Sequence, residues 1–235
     1  MKKPILLIVV MIILPCAGIT QTVQIGLSPS LSYILGGSFY TNGEERIYST
    51  PPHHPLEKQI LNLGLKKLIG YQIDINAIFK HPGLFAQTKL EQQFLSDTDG
   101  GTIVMPSYSS LYIQPNTANV KLTSSILALH LGCGYKITNI KAKPYLAGTI
   151  ILSHIGAIEV GDDYPGPPYN ETIKAKSRMG LGCQLGLEWP LSRKLSLDGQ
   201  FHLKSYAMFL REEQEDDFIT AGLSAGLLYT IANSQ

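Results

Sequence analysis

Residues 179–203, MGLGCQLGLEWPLSRKLSLDGQFHL, constrain this chain more than any other stretch. Leu181, Cys183, Leu185, Leu187 and Trp189 take every second position, with Gly182, Gln184, Gly186 and Glu188 between them. After a break at residues 190–193, Leu195, Leu197, Phe201 and Leu203 resume the beat against Asp198, Gln200, His202 and Lys204. Strict alternation is the period of a β-strand, and two such runs joined by a short polar break predict a hairpin. One face is oily almost without interruption and the other is polar and glycine-rich. A soluble sheet can carry one such hairpin. A chain that repeats it throughout predicts lipid as the solvent of the oily face. Keeping both oily faces together leaves two close registers, with Glu188 opposite either Ser196 or Asp198. Like charges directly opposite destabilise a sheet, so Ser196 is the expected partner.

The rest of the chain repeats the pattern. Strand one carries Val23, Ile25, Leu27, Leu31, Tyr33 and Leu35 on one parity, and Pro29 among them predicts a bulge or an end of pairing. Residues 36–56, with PPHHP, read as a loop. Strand two alternates from Leu61 to Phe79; Lys67 falls on its oily parity and is expected outside the hydrocarbon or snorkelling. Residues 80–83 form a turn, residues 84–95 a weaker strand three, and residues 96–119 a long connection. Strand four carries Leu127, Leu129, Leu131, Cys133 and Tyr135. Strand five, residues 144–155, is apolar on both parities, which leaves its facing open. Residues 157–172 are a long loop, strands six and seven are the opening hairpin extended back to Ile173 and forward to Phe209, residues 211–217 (REEQEDD) an acidic loop, and strand eight runs over residues 219–231.

Eight strands emerge, and their connections alternate long and short. This predicts an all-β, eight-stranded antiparallel up-and-down transmembrane β-barrel, with short periplasmic turns, long external loops and both termini in the periplasm. Aromatics at the strand ends suit interfacial girdles: Phe79, Tyr135, Tyr145, Trp189 and Tyr229 on the turn side, and Phe209 on the loop side.

Composition agrees. Charged residues are 16%, against roughly 25% in an average soluble domain, yet the mean hydropathy of +0.08 is too low for a helical membrane protein. Lys2 and Lys3 precede an apolar run over residues 4–15, and Cys16, Ala17 and Gly18 follow. This predicts a signal peptide over residues 1–20, cleaved between Gly18 and Gln21, ahead of a barrel domain at residues 21–235. Pro15 before Cys16 argues against an acylated lipoprotein. Cleavage removes Lys2 and Lys3 from the 19 basic residues and leaves 17 against 18 acidic ones, so no global field suggests nucleic acid. Cys133 and Cys183 lie on the oily parity of strands separated by another. They read as small lipid-facing residues beyond disulfide reach.

The segments KPYLAGTIIL, MGLGCQLGLEWPLSRKLSLDGQFHL and FITAGLSAGLLYT resemble the small outer-membrane β-barrel proteins of Bacteroidota, the PorT-like and OmpX-like group. The resemblance covers most of the mature chain and rests on glycine, alternation and a strand–PLS–strand hairpin, so it implies fold far more than function. The leading expectation is a non-enzymatic barrel of a Gram-negative outer membrane with a structural or surface-interaction role; the resemblance implies, as an alternative, a component assisting secretion or envelope assembly. Barrels of this kind often end on an aromatic residue; this chain ends NSQ, with Tyr229 six residues earlier.

An eight-stranded barrel is just wide enough to be filled by side chains. The inward parity offers Asp74, Lys89, Glu91, His130, Lys136, Lys174, Lys176, Arg178, Glu188, Asp198, His202 and Lys204. These predict an internal ion-pair and hydrogen-bond network that plugs the lumen, which counts against a general porin. Glycines on the same parity, among them Gly132, Gly186 and Gly222, make room for it. His154, with Ser153, Glu159, Asp162 and Asp163 near it in sequence, could serve a lipid-modifying enzyme only if hydroxyl, base and acid converge. His53 and His54 could bind a metal, but adjacent histidines between prolines more simply face water. No catalytic, cofactor or metal residue is therefore assigned. The loop tyrosines Tyr40, Tyr48, Tyr108, Tyr112, Tyr164 and Tyr169 are candidates for a binding surface. The expected partners are outer-membrane lipid and lipopolysaccharide, the barrel-assembly machinery and an unknown external ligand, with the chain monomeric. A soluble lipocalin-like carrier would instead require Leu181, Leu185 and Leu187 on the inner wall.

Overall fold

The computed structural model describes residues 20–41, 59–62, 66–79, 83–97, 102–105, 116–162, 170–173, 175–206 and 218–233. Residues 1–19 of the signal peptide expected over residues 1–20, the acidic stretch at residues 211–217, Phe209, His53, His54, Asp163 and Lys174 lie outside them. Among the described residues there are twelve strands and no helix: β1 (Thr20–Thr41), β2 (Gln59–Asn62), β3 (Lys67–Phe79), β4 (Leu84–Asp97), β5 (Thr102–Met105), β6 (Asn116–Lys136), β7 (Lys143–Ile155), β8 (Ile158–Asp162), β9 (Asn170–Ile173), β10 (Lys176–Pro190), β11 (Leu195–Tyr206) and β12 (Phe218–Asn233). β1, β3, β4, β6, β7, β10, β11 and β12 are the eight staves. Each pairs antiparallel with the next, and β12 pairs with β1 to close the barrel. Closure leaves the staves no open edge.

Alternation sorts the side chains. Leu27 and Leu223 are each 61% exposed and Leu185 is 55%, while Gln72 and Glu91 are 0% exposed. Leu181, Leu185 and Leu187 stand on the outer wall, the reverse of what a lipocalin-like carrier needs. A continuous wall of exposed leucine and isoleucine is far larger than water tolerates and matches the lipid-facing band of a membrane barrel. The 13 residues of β3 rise roughly 30 Å at ~3.3 Å each and a tilt of about 40°. That places Phe79 and Lys67 near opposite faces of a bilayer. Lys67 is exposed at the external end, as its place on the oily parity requires. Tyr135, Trp189 and Tyr229 are outward at the turn end.

Several expectations are corrected. Glu188 faces Asp198, not Ser196. The turn sets this register: the Leu191 and Ser192 amides both donate to the Leu195 carbonyl at 2.9 Å, and the Ser192 hydroxyl oxygen accepts from the Lys194 and Leu195 amides. Repulsion does not prevent it, because the lumen supplies each carboxylate with partners from other staves. Strand five turns Tyr145, Ala147, Thr149, Ile151, Ser153 and Ile155 inward, so Tyr145 belongs to the lumen and not to the girdle. Of the two outcomes expected at Pro29, pairing lapses on one side and no bulge forms. The ladder toward β12 skips Ser28 and Pro29, as a residue without an N–H requires, while Pro29 stays in register with Tyr71 on β3. The irregularities fall instead at Val23/Gln24 and Ile34/Gly36. The long connections also carry ladder. β1 runs on to Thr41 and pairs with β2, β5 pairs with β6, and β8 pairs with both β6 and β9. Turn-rich composition hid the pairings of β5, β8 and β9, whereas Leu61 of β2 already falls in the second strand read from the sequence.

Candidate functional site

The inward residues build a plug in layers. At the turn end, Lys136 of β6 pairs with Glu188 of β10. Glu188 also accepts from the Ser196 hydroxyl at 2.9 Å and the Gln24 amide at 3.3 Å. The Tyr145 hydroxyl donates to Asp198 at 3.0 Å, and Gln200 Nε2 donates to the same carboxylate at 2.6 Å. The Lys136 ammonium lies 5.3 Å from the Phe85 ring centroid and 5.4 Å from that of Tyr145, within cation–π reach of both. Those two rings meet edge-on at 5.6 Å. Gly186 lies under the Tyr145 ring, where a Cβ would collide with it. The glycine is the space the tyrosine occupies.

In the middle layer Lys89 lies 3.5 Å from Asp74 and donates to Gln200 Oε1 at 2.6 Å and Gln184 Oε1 at 3.1 Å. Gln72 bridges to Gln200 and Ser224, and Gln184 to Gln87. Above it, Lys204 Nζ holds both Glu91 oxygens at 2.7 and 2.6 Å, and His130 Nε2 lies 3.0 Å from Oε2. His202 Nε2 lies 3.0 Å from the Ser32 hydroxyl, which accepts from Gln93 at 2.8 Å. Asp74, Lys89, Glu91, His130, Lys136, Arg178, Glu188, Asp198, His202 and Lys204 are all buried. The side chain of Lys176 is outside the described residues. Charges desolvated in this way persist only when paired and hydrogen-bonded, and the partners come both from neighbouring staves, as Lys89 for Asp74, and from across the lumen, as Lys204 for Glu91.

Sequence reasoning missed what lies above the charges. Near the external end the inward parity turns apolar: Ile34, Leu68, Leu95, Ile126, Ile155, Tyr206 and Phe218 are buried. Three pairs of them face each other directly, Leu68 with Leu95, Ile126 with Ile155, and Tyr206 with Phe218. The last pair stacks at 4.6 Å with 21° between the ring planes. The signal was present in the sequence, since each of these residues follows the polar parity of its own strand, two positions beyond a Ser, Gln, Gly, Ala, Lys or Thr. An oily layer therefore caps the polar plug, and water meets two barriers in series.

The other candidates do not converge. Ser153 faces inward and donates to the Arg178 carbonyl at 3.3 Å. His154 faces outward at the external end, with Nδ1 3.3 Å from the Ser177 hydroxyl. Among the described residues no carboxylate joins that pair; only the backbone of Glu159 and Asp162 is described, in β8. No group of three His, Cys, Asp or Glu side chains among the described residues could hold a metal. Cys133 and Cys183 are free and exposed on the outer wall. Both pair with Gly148, one on each side, which is the one-strand separation expected of them. Of the loop tyrosines only Tyr40 is described, through its backbone pairing with Ile60.

No family model matches this chain, and no curated protein matches it. Among solved structures it is similar to OprG from Pseudomonas aeruginosa (TM-score 0.49, 9% identity, covering 91% of this chain and 97% of that one). It is also similar to a major outer membrane protein from Thermus thermophilus (TM-score 0.47, 15% identity, 88% and 99%) and to Neisserial surface protein A (TM-score 0.45, 13% identity, 89% and 97%). Identities this low transfer no ligand or activity to this chain.

Proposed function

We propose that this chain is an integral outer-membrane β-barrel of a Gram-negative envelope, exported with a cleaved signal peptide over residues 1–20 and inserted by the barrel-assembly machinery as a monomer. Its role is structural, or one of surface interaction through the external hairpins, and not catalytic. The observation that carries this is the combination of a lipid-adapted outer wall with a lumen filled by the Glu91/Lys204, Asp74/Lys89 and Glu188/Lys136 pairs beneath an apolar cap. A filled lumen supports neither a general porin nor an internal ligand site. The ladders of β2, β5, β8 and β9 lengthen the external hairpins beyond the cap, which supports a stiff platform for contact with an external ligand or lipopolysaccharide. The test is membrane fractionation with heat-modifiable gel mobility, followed by conductance in planar bilayers. We expect an outer-membrane, heat-modifiable, non-conducting protein. A soluble product overturns the location, and a steady ohmic pore overturns the plug.

A second reading rests on the resemblance of residues 143–152, 179–203 and 218–230 to the PorT-like group, and has the barrel assist secretion or envelope assembly. Co-purification of secretion components with the full chain supports it; their absence from a gently solubilised preparation counts against it.

A further inference from the structure

The outer wall is not uniformly bulky. On β11 and β12, Gly199 and Ala225 are direct cross-strand partners. Pro29 of β1, between the Leu27/Leu227 and Ser30/Ser224 pairs, continues their row. A Cβ built on Gly199 meets nothing within 4 Å. The row above is Leu185, Phe201, Leu223, Leu31 and Ile69 in unbroken register. The row below is Leu197, Leu227, Leu27 and Ile73. All of these bank residues are exposed. The floor of small side chains and the row above it line a groove of about 910 Å³ that runs from Leu187 to Ile69 and, one row further up, Lys67; the exposed Tyr71, partner of Pro29, ends the floor on β3. Rows of cross-strand partners climb the wall of a tilted barrel, so the groove ascends obliquely to the external boundary of the hydrocarbon. There Lys67 is paired across strands with Tyr33, and both are exposed.

We propose that this groove is a binding site for one lipid A molecule of the outer leaflet, an acyl chain lying over the small floor against the Leu185–Ile69 row and a phosphate above it resting on Lys67. The proposal depends on the outer-membrane reading above. Charge selects the occupant. Among the described residues no carboxylate pairs with Lys67, a cation on the oily parity of its strand; a neutral lipid supplies no counter-charge either, whereas a phosphate at the same depth does. A second copy of the chain fits poorly. Symmetric association sets groove against groove, and bank meets bank with both floors empty.

The experiment uses the purified full chain in mild detergent and native mass spectrometry with added bisphosphorylated lipid A, dephosphorylated lipid A or phosphatidylethanolamine. Wild-type protein should hold one bisphosphorylated lipid A in preference to the other two. Lys67→Gln should weaken that binding about fivefold, the effect of one interfacial charge, without changing the affinity for the dephosphorylated form. Ala225→Leu, and independently Gly199→Ile into the open space over the floor, should abolish the single saturable site. Both substitutions point away from the lumen, so heat-modifiable mobility should persist and report folding separately. Equal binding of lipid A by wild type, Lys67→Gln and a folded floor variant overturns the site, as does a dimer that the floor variants disrupt. Loss of outer-membrane fractionation in wild type is a different failure, that of the location itself.

Discussion

Replacing Lys204 with Met should be among the most damaging single changes this barrel can suffer. Glu91 is 0% exposed and Lys204 is 2%, and the ammonium contacts both carboxylate oxygens, at 2.7 and 2.6 Å. The variant keeps most of the side-chain volume but leaves Glu91 with His130 alone, at 3.0 Å. Two hydrogen bonds to charged groups are worth about 1.5–3 kcal/mol each, and stranding one member of a buried pair costs roughly 3–5 kcal/mol, so both routes give the same magnitude. The double variant Glu91→Gln/Lys204→Met removes both charges and preserves a partner for His130; it should return to within about 1 kcal/mol of wild type. The assay is urea unfolding from lipid vesicles followed by heat-modifiable mobility, read as a double-mutant cycle. A loss below about 1 kcal/mol for Lys204→Met, or a double variant no better than the single, would falsify the view that ion pairing across the lumen holds the plug together.

Three further outcomes are expected. Leu223→Arg, on an outer-wall residue that is 61% exposed, should cost roughly 2–4 kcal/mol, whereas Leu191→Arg in the short turn, 55% exposed, should cost under about 1 kcal/mol; equal small effects in vesicle unfolding would contradict a lipid-facing wall. Phe218→Ala removes the ring stacked on Tyr206 and should cost about 3–5 kcal/mol yet still give no conductance, because the charged layers below remain closed; a conducting variant would show the apolar cap to be the only seal. Tyr145→Phe takes the hydroxyl donor from Asp198, which keeps Gln200, and should cost about 1–3 kcal/mol; an unchanged urea midpoint would mean that Asp198 does not need that donor.

The alternation was legible in the sequence because a strand has a period of two and each stave contributes its facing independently of its neighbours. From it follow eight staves, their order, the short and long connections and the identity of the charged residues that fill the lumen. Facing became ambiguous only where both parities are apolar, as in residues 144–155. There β6 and β10 decided it, by pairing Tyr135 and Leu185 with Leu146 on the outer wall and leaving Tyr145 to the lumen. The Glu188 register was misjudged for a related reason. A rule about two opposed residues considers two strands, and Lys136, Tyr145 and Gln24 reach those carboxylates from three others. The apolar cap and the outer groove escaped notice because each is a row across strands, assembled from one residue per stave that is ordinary in its own segment.

By itself, then, the sequence of this protein determines which residues face lipid and which face each other, since that depends on local periodicity. Only the closed barrel decided who meets whom. Partners across the lumen, the layering of charge beneath oil, and the furrow of Gly199, Ala225 and Pro29 depend on inter-strand register and on the tilt of the staves. Both are set by turns, by bulges at Val23/Gln24 and Ile34/Gly36, and by the single closure of β12 on β1.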